Sequence, residues 1–195
     1  VDDGSPRTSP TDGSARRVAG VSDAHFDPLV HVAQDDHPDR VAEARAEAGR
    51  AVRDLGHALV GHHASLDLLD DVTRTLDDLT RQLGEGAIRS RSEVRRDGQF
   101  GEAPPDGSIM TTYDERPVSG GASPWGLDIE VRRDGDEAVA SLTLRAAHEG
   151  APERSHGGIG AALFDDVFGF VLHIQAQSAF TGELWMRYEA GVPIG

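Results

Sequence analysis

The sequence predicts an α+β fold in which a small antiparallel sheet covers an apolar helix, preceded by a pair of amphipathic helices. Three observations lead there. Residues 127–132 alternate, with Leu127, Ile129 and Val131 on one face and Asp128, Glu130 and Arg132 on the other, the period-2 signature of a half-buried strand. The run from about Gly158 to Ser178 is apolar almost all round, as in a helix buried on most sides. Upstream, between Pro38 and Leu83, two apolar stripes recur at helical spacing.

Taken in order, residues 1–24 are rich in Ser, Thr, Pro, Asp and Gly without periodicity, and read as a disordered tail that buries no surface. Residues 25–87 read as an α-helical hairpin. Pro38 suits a first helical turn, and Val41, Ala48, Val52, Leu55 and Leu59 form the first stripe. Gly61-His62-His63 interrupts it. Leu66, Leu69, Val72, Leu76, Leu79 and Leu83 form the second, closed by Gly84 and Gly86, residues suited to a helix end. Asp67, Asp70, Asp71, Asp77 and Asp78 fit a solvated face. His57, His62 and His63 lack the spacing of a motif such as HExxH, so they read as structural or solvated. No metal and no cofactor is expected.

Residues 88–109 are polar and Gly/Pro-rich and read as a linker. After Pro124 comes the first strand, then Asp134-Gly135 as a tight hairpin turn. The return strand carries Val139, Leu142 and Leu144; Ser141 to Leu144 fix its alternation better than Val139 does. Beyond the apolar helix, Leu184, Met186 and Tyr188 alternate with Glu183, Trp185 and Arg187, predicting a third strand.

Composition narrows the function. A formal net charge of −15 repels phosphate backbones and anionic lipid headgroups, which argues against nucleic acid and membranes as partners. All 19 cationic residues are Arg, the codon usage of a GC-rich, actinobacterial kind of genome. Cysteine is absent, which removes disulfides and Cys nucleophiles. No apolar run is expected to span a membrane, and the N-terminus lacks the apolar core of a signal peptide. The expected location is the cytoplasm.

The segment from His156 to Asp165 carries the chemistry. Gly157 and Gly158 at a helix start let a ligand approach the backbone. The free N–H groups and the helix dipole there favour developing negative charge, the raw material of an oxyanion hole. Asp165 follows Gly158 by about two turns. A carboxylate within an apolar helix is a candidate base or nucleophile. On spacing alone, His156 and Asp165 equally suit a cap and a tie for a buried helix.

The extended pattern is HGGIGAALFDD from His156, then Thr181-Gly182-Glu183-Leu184-Trp185-Met186-Arg187-Tyr188, then Val192-Pro193-Ile194-Gly195, with Glu149-Gly150-Ala151-Pro152 upstream. It resembles the phenylacetic-acid-degradation (PaaI-like) type of hotdog-fold acyl-CoA thioesterase over about residues 110–195. Gly191 stands where a Pro is common in that family, and no Asn precedes the HGG.

The resemblance implies an antiparallel sheet wrapped around the central buried helix. It implies hydrolysis of an acyl-CoA to free acid and CoA by a homodimer or higher homo-oligomer. It implies catalytic roles for Gly157, whose N–H would polarise the thioester carbonyl, for Asp165 as general base or nucleophile, and for His156 and Thr181 in shaping the site. Gly158, Asp166 and Arg187 are expected against the substrate, and Gly157 and Asp165 acting on one substrate would come from different subunits. A non-catalytic hotdog module binding an acyl group or a partner protein is the alternative, and a hotdog dehydratase a third reading. A sheet of about five or six strands exceeds the three expected here, so the domain is expected to be a truncated product lacking C-terminal strands.

Overall fold

The computed structural model describes residues 38–88 and 103–195. The expected tail at 1–24 and most of the expected linker lie outside the described residues. Within them the chain forms helix α1 (Pro38–Gly61), helix α2 (Leu66–Gly84), strands β1 (Ile109–Met110), β2 (Glu130–Asp134) and β3 (Glu137–Ser141), a 3-10 turn (Ala146–His148), strands β4 (Glu149–Ala151) and β5 (Arg154–Ser155), and helix α3 (Gly157–Ile174). This is an α+β architecture with antiparallel sheets.

β1, β2 and β3 lie side by side in that order. Val131 sits opposite Met110 on one side and Ala140 on the other. The hairpin closes on Gly135-Asp136, one residue later than expected, with Gly135 at φ +58°. Leu127, Ile129 and Val131 point inward as their alternation predicts. On β3 the inward residues are Ala138 and Ala140, in phase with Leu142 and Leu144, while Val139 faces out. β1 lies at the end of the stretch expected to be linker. Its two residues extend the sheet because Met110 joins Val131, Phe170 and Ile174 in the core.

α3 lies across this sheet. Phe170 and Ile174 are buried in the core cluster, and Asp166 is buried one turn before Phe170. Phe164 and Phe168, on other faces, are 51% and 45% exposed. A helix expected to be enclosed is therefore covered on one side among the described residues. It also ends at Ile174, earlier than expected, before Ala176 takes φ +50°. Contrary to expectation, α3 has the length and mean hydropathy (1.4) of a membrane span. Length and composition alone are weak evidence of a span, and one face of α3 packs against β2 and β3.

The chain after α3 departs from the expected strand. Residues 183–188 join no sheet, although Leu184 and Met186 turn inward from exposed neighbours. Alternation alone forms no strand without a ladder partner for its N–H and C=O groups. The backbone pairing comes later, where Ser155 N–H donates to Val192 C=O (2.9 Å) and Arg154 faces Pro193.

Both upstream helices are present, but neither buries its apolar stripe as a hairpin would. α1 turns Gly49, Arg53 and His57 inward and leaves Val52 and Leu59 exposed. Arg53 donates to the carbonyls of Gly121 (2.8 Å) and Ser123 (2.6 Å) and pairs with Asp128. Arg145 reaches back to Asp54 (2.6 Å). α1 is thus moored by polar contacts to the loop before β2 and to the 3-10 turn. α2 is capped by Ser65 and buries none of its residues.

Candidate active site

The start of α3 is built by the β4–β5 hairpin. Its turn at Pro152-Glu153 holds Glu153 at φ +61°, and Glu149 Oε1 accepts from Glu153 N–H (2.6 Å). The chain then reaches His156 in an extended conformation, as an N-cap requires. His156 Nδ1 accepts from Gly158 N–H (3.0 Å), and His156 C=O accepts from Ile159 N–H (3.0 Å). The Gly157 N–H is left without a hydrogen bond among the described residues. It lies at the positive end of the helix dipole. Tyr188 lies against the same glycine, its hydroxyl donating to Gly157 C=O (2.8 Å), and a Cβ at position 157 would stand 3.1 Å from its ring. Sequence reading placed Tyr188 in a motif but assigned it no place at this helix start.

Asp165 and Asp166, adjacent in sequence, have opposite surroundings. Asp165 is exposed. Asp166 is buried against Arg116, with Nε 2.8 Å from Oδ1 and side chains 12% and 8% exposed. Arg116 also donates to Asp166 C=O (2.5 Å) and lies over the Phe170 ring. Gly169 makes room for it, since a Cβ there would stand 2.2 Å from the Arg116 guanidinium. The Asp166 carboxylate, expected against the substrate, is thus engaged in the interior. Sequence reading missed Arg116, which lies 50 residues away from its partner in an irregular stretch without periodicity.

The other expected site residues are spread out. Thr181 is exposed on the segment after α3. Arg187 is exposed beside Glu189 (3.5 Å). The structure brings His156, Gly157, Gly158 and Tyr188 together and places Asp165 eight residues beyond Gly157 on the same helix, about 12 Å along its axis.

Behind the helix start lies a buried histidine pair. His156 N–H donates to His148 C=O (2.8 Å). The His148 ring meets His57 of α1 edge to face at 4.6 Å between centroids. Each Nδ1 accepts a backbone N–H, His57 from Ala147 (3.0 Å) and His148 from Arg145 (3.1 Å), so both rings are neutral with the proton on Nε2. Burial holds both below the usual imidazole range, and the nearby Arg145 adds to the effect. Asp128 opposes it on both rings, as Asp54 does on His57.

As pH falls through 6.5, the unfolded chain takes up these protons before the folded one does. Stability is therefore full above that value and declines below it. The expected result is a lower Tm at about pH 5.5 than at about pH 7.5, with a smaller difference in His57→Asn. A wild-type Tm flat across that interval would show that the pair is not linked to folding.

Among the described residues no group of His, Asp and Glu is arranged to hold a metal ion. No protein-family model matches the sequence, and a search of curated proteins returns no match. Among solved structures, the chain is similar to the crystal structure of a thioesterase superfamily protein, with a TM-score of 0.60 and 20% sequence identity over 85% of this chain and 75% of that one. The matched share exceeds the stretch from 110 to 195, so the likeness extends upstream of the sheet. At that identity the likeness is one of fold: the chain shares the α+β fold of a thioesterase superfamily protein.

Proposed function

We propose that the chain is a hotdog-fold acyl-CoA thioesterase of the PaaI-like kind, hydrolysing the thioester to free acid and CoA. The observation that carries this reading is the unengaged Gly157 N–H at a histidine-capped helix start, in a chain that shares its fold with a thioesterase superfamily protein. In the proposed mechanism Gly157 N–H donates to the thioester carbonyl oxygen and strengthens its hold as negative charge develops there. His156 fixes the turn that presents this N–H, and Gly158 keeps the approach open. Asp165 takes a proton from the attacking water, or attacks the carbonyl itself to give an anhydride that water then opens. Either way the C–S bond breaks and CoA leaves as a thiolate that takes up a proton. Thr181 positions the carboxylate or the water, and Arg187 holds a phosphate of CoA.

As the resemblance to the PaaI-like kind implies, Gly157 and Asp165 acting on one carbonyl would come from two copies, and the proposed enzyme is a homodimer or a higher homo-oligomer. Its proposed setting is the cytoplasm, where CoA thioesters are formed. The domain division in this reading is a helical pair upstream and a thioesterase-like domain over 110–195.

The test is release of free thiol from a panel of straight-chain and aromatic acyl-CoAs, with hydration of an enoyl-CoA measured alongside. Saturable thiol release from at least one acyl-CoA is expected. Binding of acyl-CoAs without turnover of any would replace the enzyme with a non-catalytic acyl-binding module, and hydration without thiol release would replace it with a dehydratase.

A further inference from the structure

The apolar stripe of α2 is turned to solvent, with Leu66, Leu68, Leu69, Leu79 and Leu83 exposed and Val72 and Leu76 half-buried. Leu69, Val72, Leu76, Leu79 and Leu83 are spaced alternately by three and four residues, the repeat of a helix that packs along its length against another helix. The positions flanking this seam are Thr73, Thr75, Thr80 and Gln82, all uncharged. The hydroxyls of Thr73 and Thr75 are satisfied within the helix by Leu69 C=O (2.9 Å) and Asp71 C=O (2.8 Å). Every charge on α2 lies away from the seam, and Asp71–Arg74 and Asp78–Arg81 pair with one another on the far side.

This distribution identifies the occupant. Flanking positions in paired helices choose the partner by charge, and a basic partner would be met by acidic flanks. Here the aspartates are turned away and the flanks are neutral. In a chain of net charge −15, such a seam lets two copies approach without like charges facing one another. We infer that α2 is a self-association element that pairs, seam to seam, with α2 of a second copy of this chain. Leu76 is the midpoint of the seam, so it faces its own copy in an in-register pair whether the helices run parallel or antiparallel.

The chain has no cysteine, so a single introduced thiol reports one position. The purified full chain carrying Leu76→Cys is oxidised mildly beside one carrying Arg74→Cys, on the far face. Leu76→Cys is expected to form an interchain disulfide about tenfold faster or more, because pairing raises the local thiol concentration. Adding Leu79→Asp is expected to abolish that advantage. Because α2 buries none of its residues, circular dichroism is expected to show the fold retained in each variant. Equal crosslinking at positions 74 and 76, or crosslinking at 76 that survives Leu79→Asp, overturns the inference. So does protection of α2 from proteolysis without crosslinking, since residues of the same chain would then cover the stripe.

Discussion

Arg116→Met is expected to destabilise the chain by about 3–5 kcal/mol, because it leaves the Asp166 carboxylate in the interior without a counter-charge. The guanidinium gives Asp166 an ion pair at 2.8 Å, a bond to its backbone carbonyl, and cover over the adjacent Phe170. Water cannot replace these while the helix face stays packed. The pair is nevertheless an inefficient stabiliser, since Arg116 Nη1 and Asp166 Oδ2 are buried with no partner among the described residues. Removing both charges together should therefore cost far less than removing one. Arg116→Met with Asp166→Leu is expected to recover most of the lost stability in denaturant unfolding. A loss below about 1 kcal/mol for Arg116→Met alone would mean that the pair does not anchor α3.

Asp165→Asn is expected to lower acyl-CoA turnover by about 10²–10⁴-fold, the usual contribution of a positioned acid or base, while leaving Tm unchanged because the side chain is exposed. Asp166→Asn, one residue on, is expected to do the opposite and lower Tm by weakening the buried pair. Thiol release and thermal unfolding of the two variants separate the roles. Retention of most turnover by Asp165→Asn would remove it from the proposed mechanism, whatever becomes of the fold.

The sequence made some parts of this molecule legible and hid others for identifiable reasons. Leu127, Ile129 and Val131 were readable because burial on one face of a strand imposes period 2. The start of α3 was readable because a long apolar run begins directly after His156-Gly157-Gly158, where glycines leave a helix start open to close approach. α1 misled, because its stripe of Val52, Leu55 and Leu59 suggested an apolar interface while docking runs through Arg53 and His57. Polar docking obeys partner geometry and leaves no hydrophobic period. The expected strand at 183–188 misled because alternation records which side chains face inward, not whether a neighbour supplies hydrogen bonds. Asp165 and Asp166 could be ranked from sequence only by spacing; what distinguishes their surroundings is Arg116, fixed by a long-range contact that no local pattern encodes.

The mooring of α1 has a thermodynamic consequence. Detaching a helix held by an apolar face exposes hydrocarbon to water, and so carries a large heat-capacity increment and a steep urea dependence. Detaching α1 would expose guanidinium, carboxylate and imidazole groups at Arg53, Asp54, His57, Arg145 and His148, and would undo the close approaches of Gly49 to Ala122 and Gly61 to Ala146. Such a step responds to ionic strength and acid as well as to urea. Since His148 also holds the backbone of His156, the solution conditions that loosen α1 act on the geometry of the Gly157 helix start without unfolding the sheet beneath it.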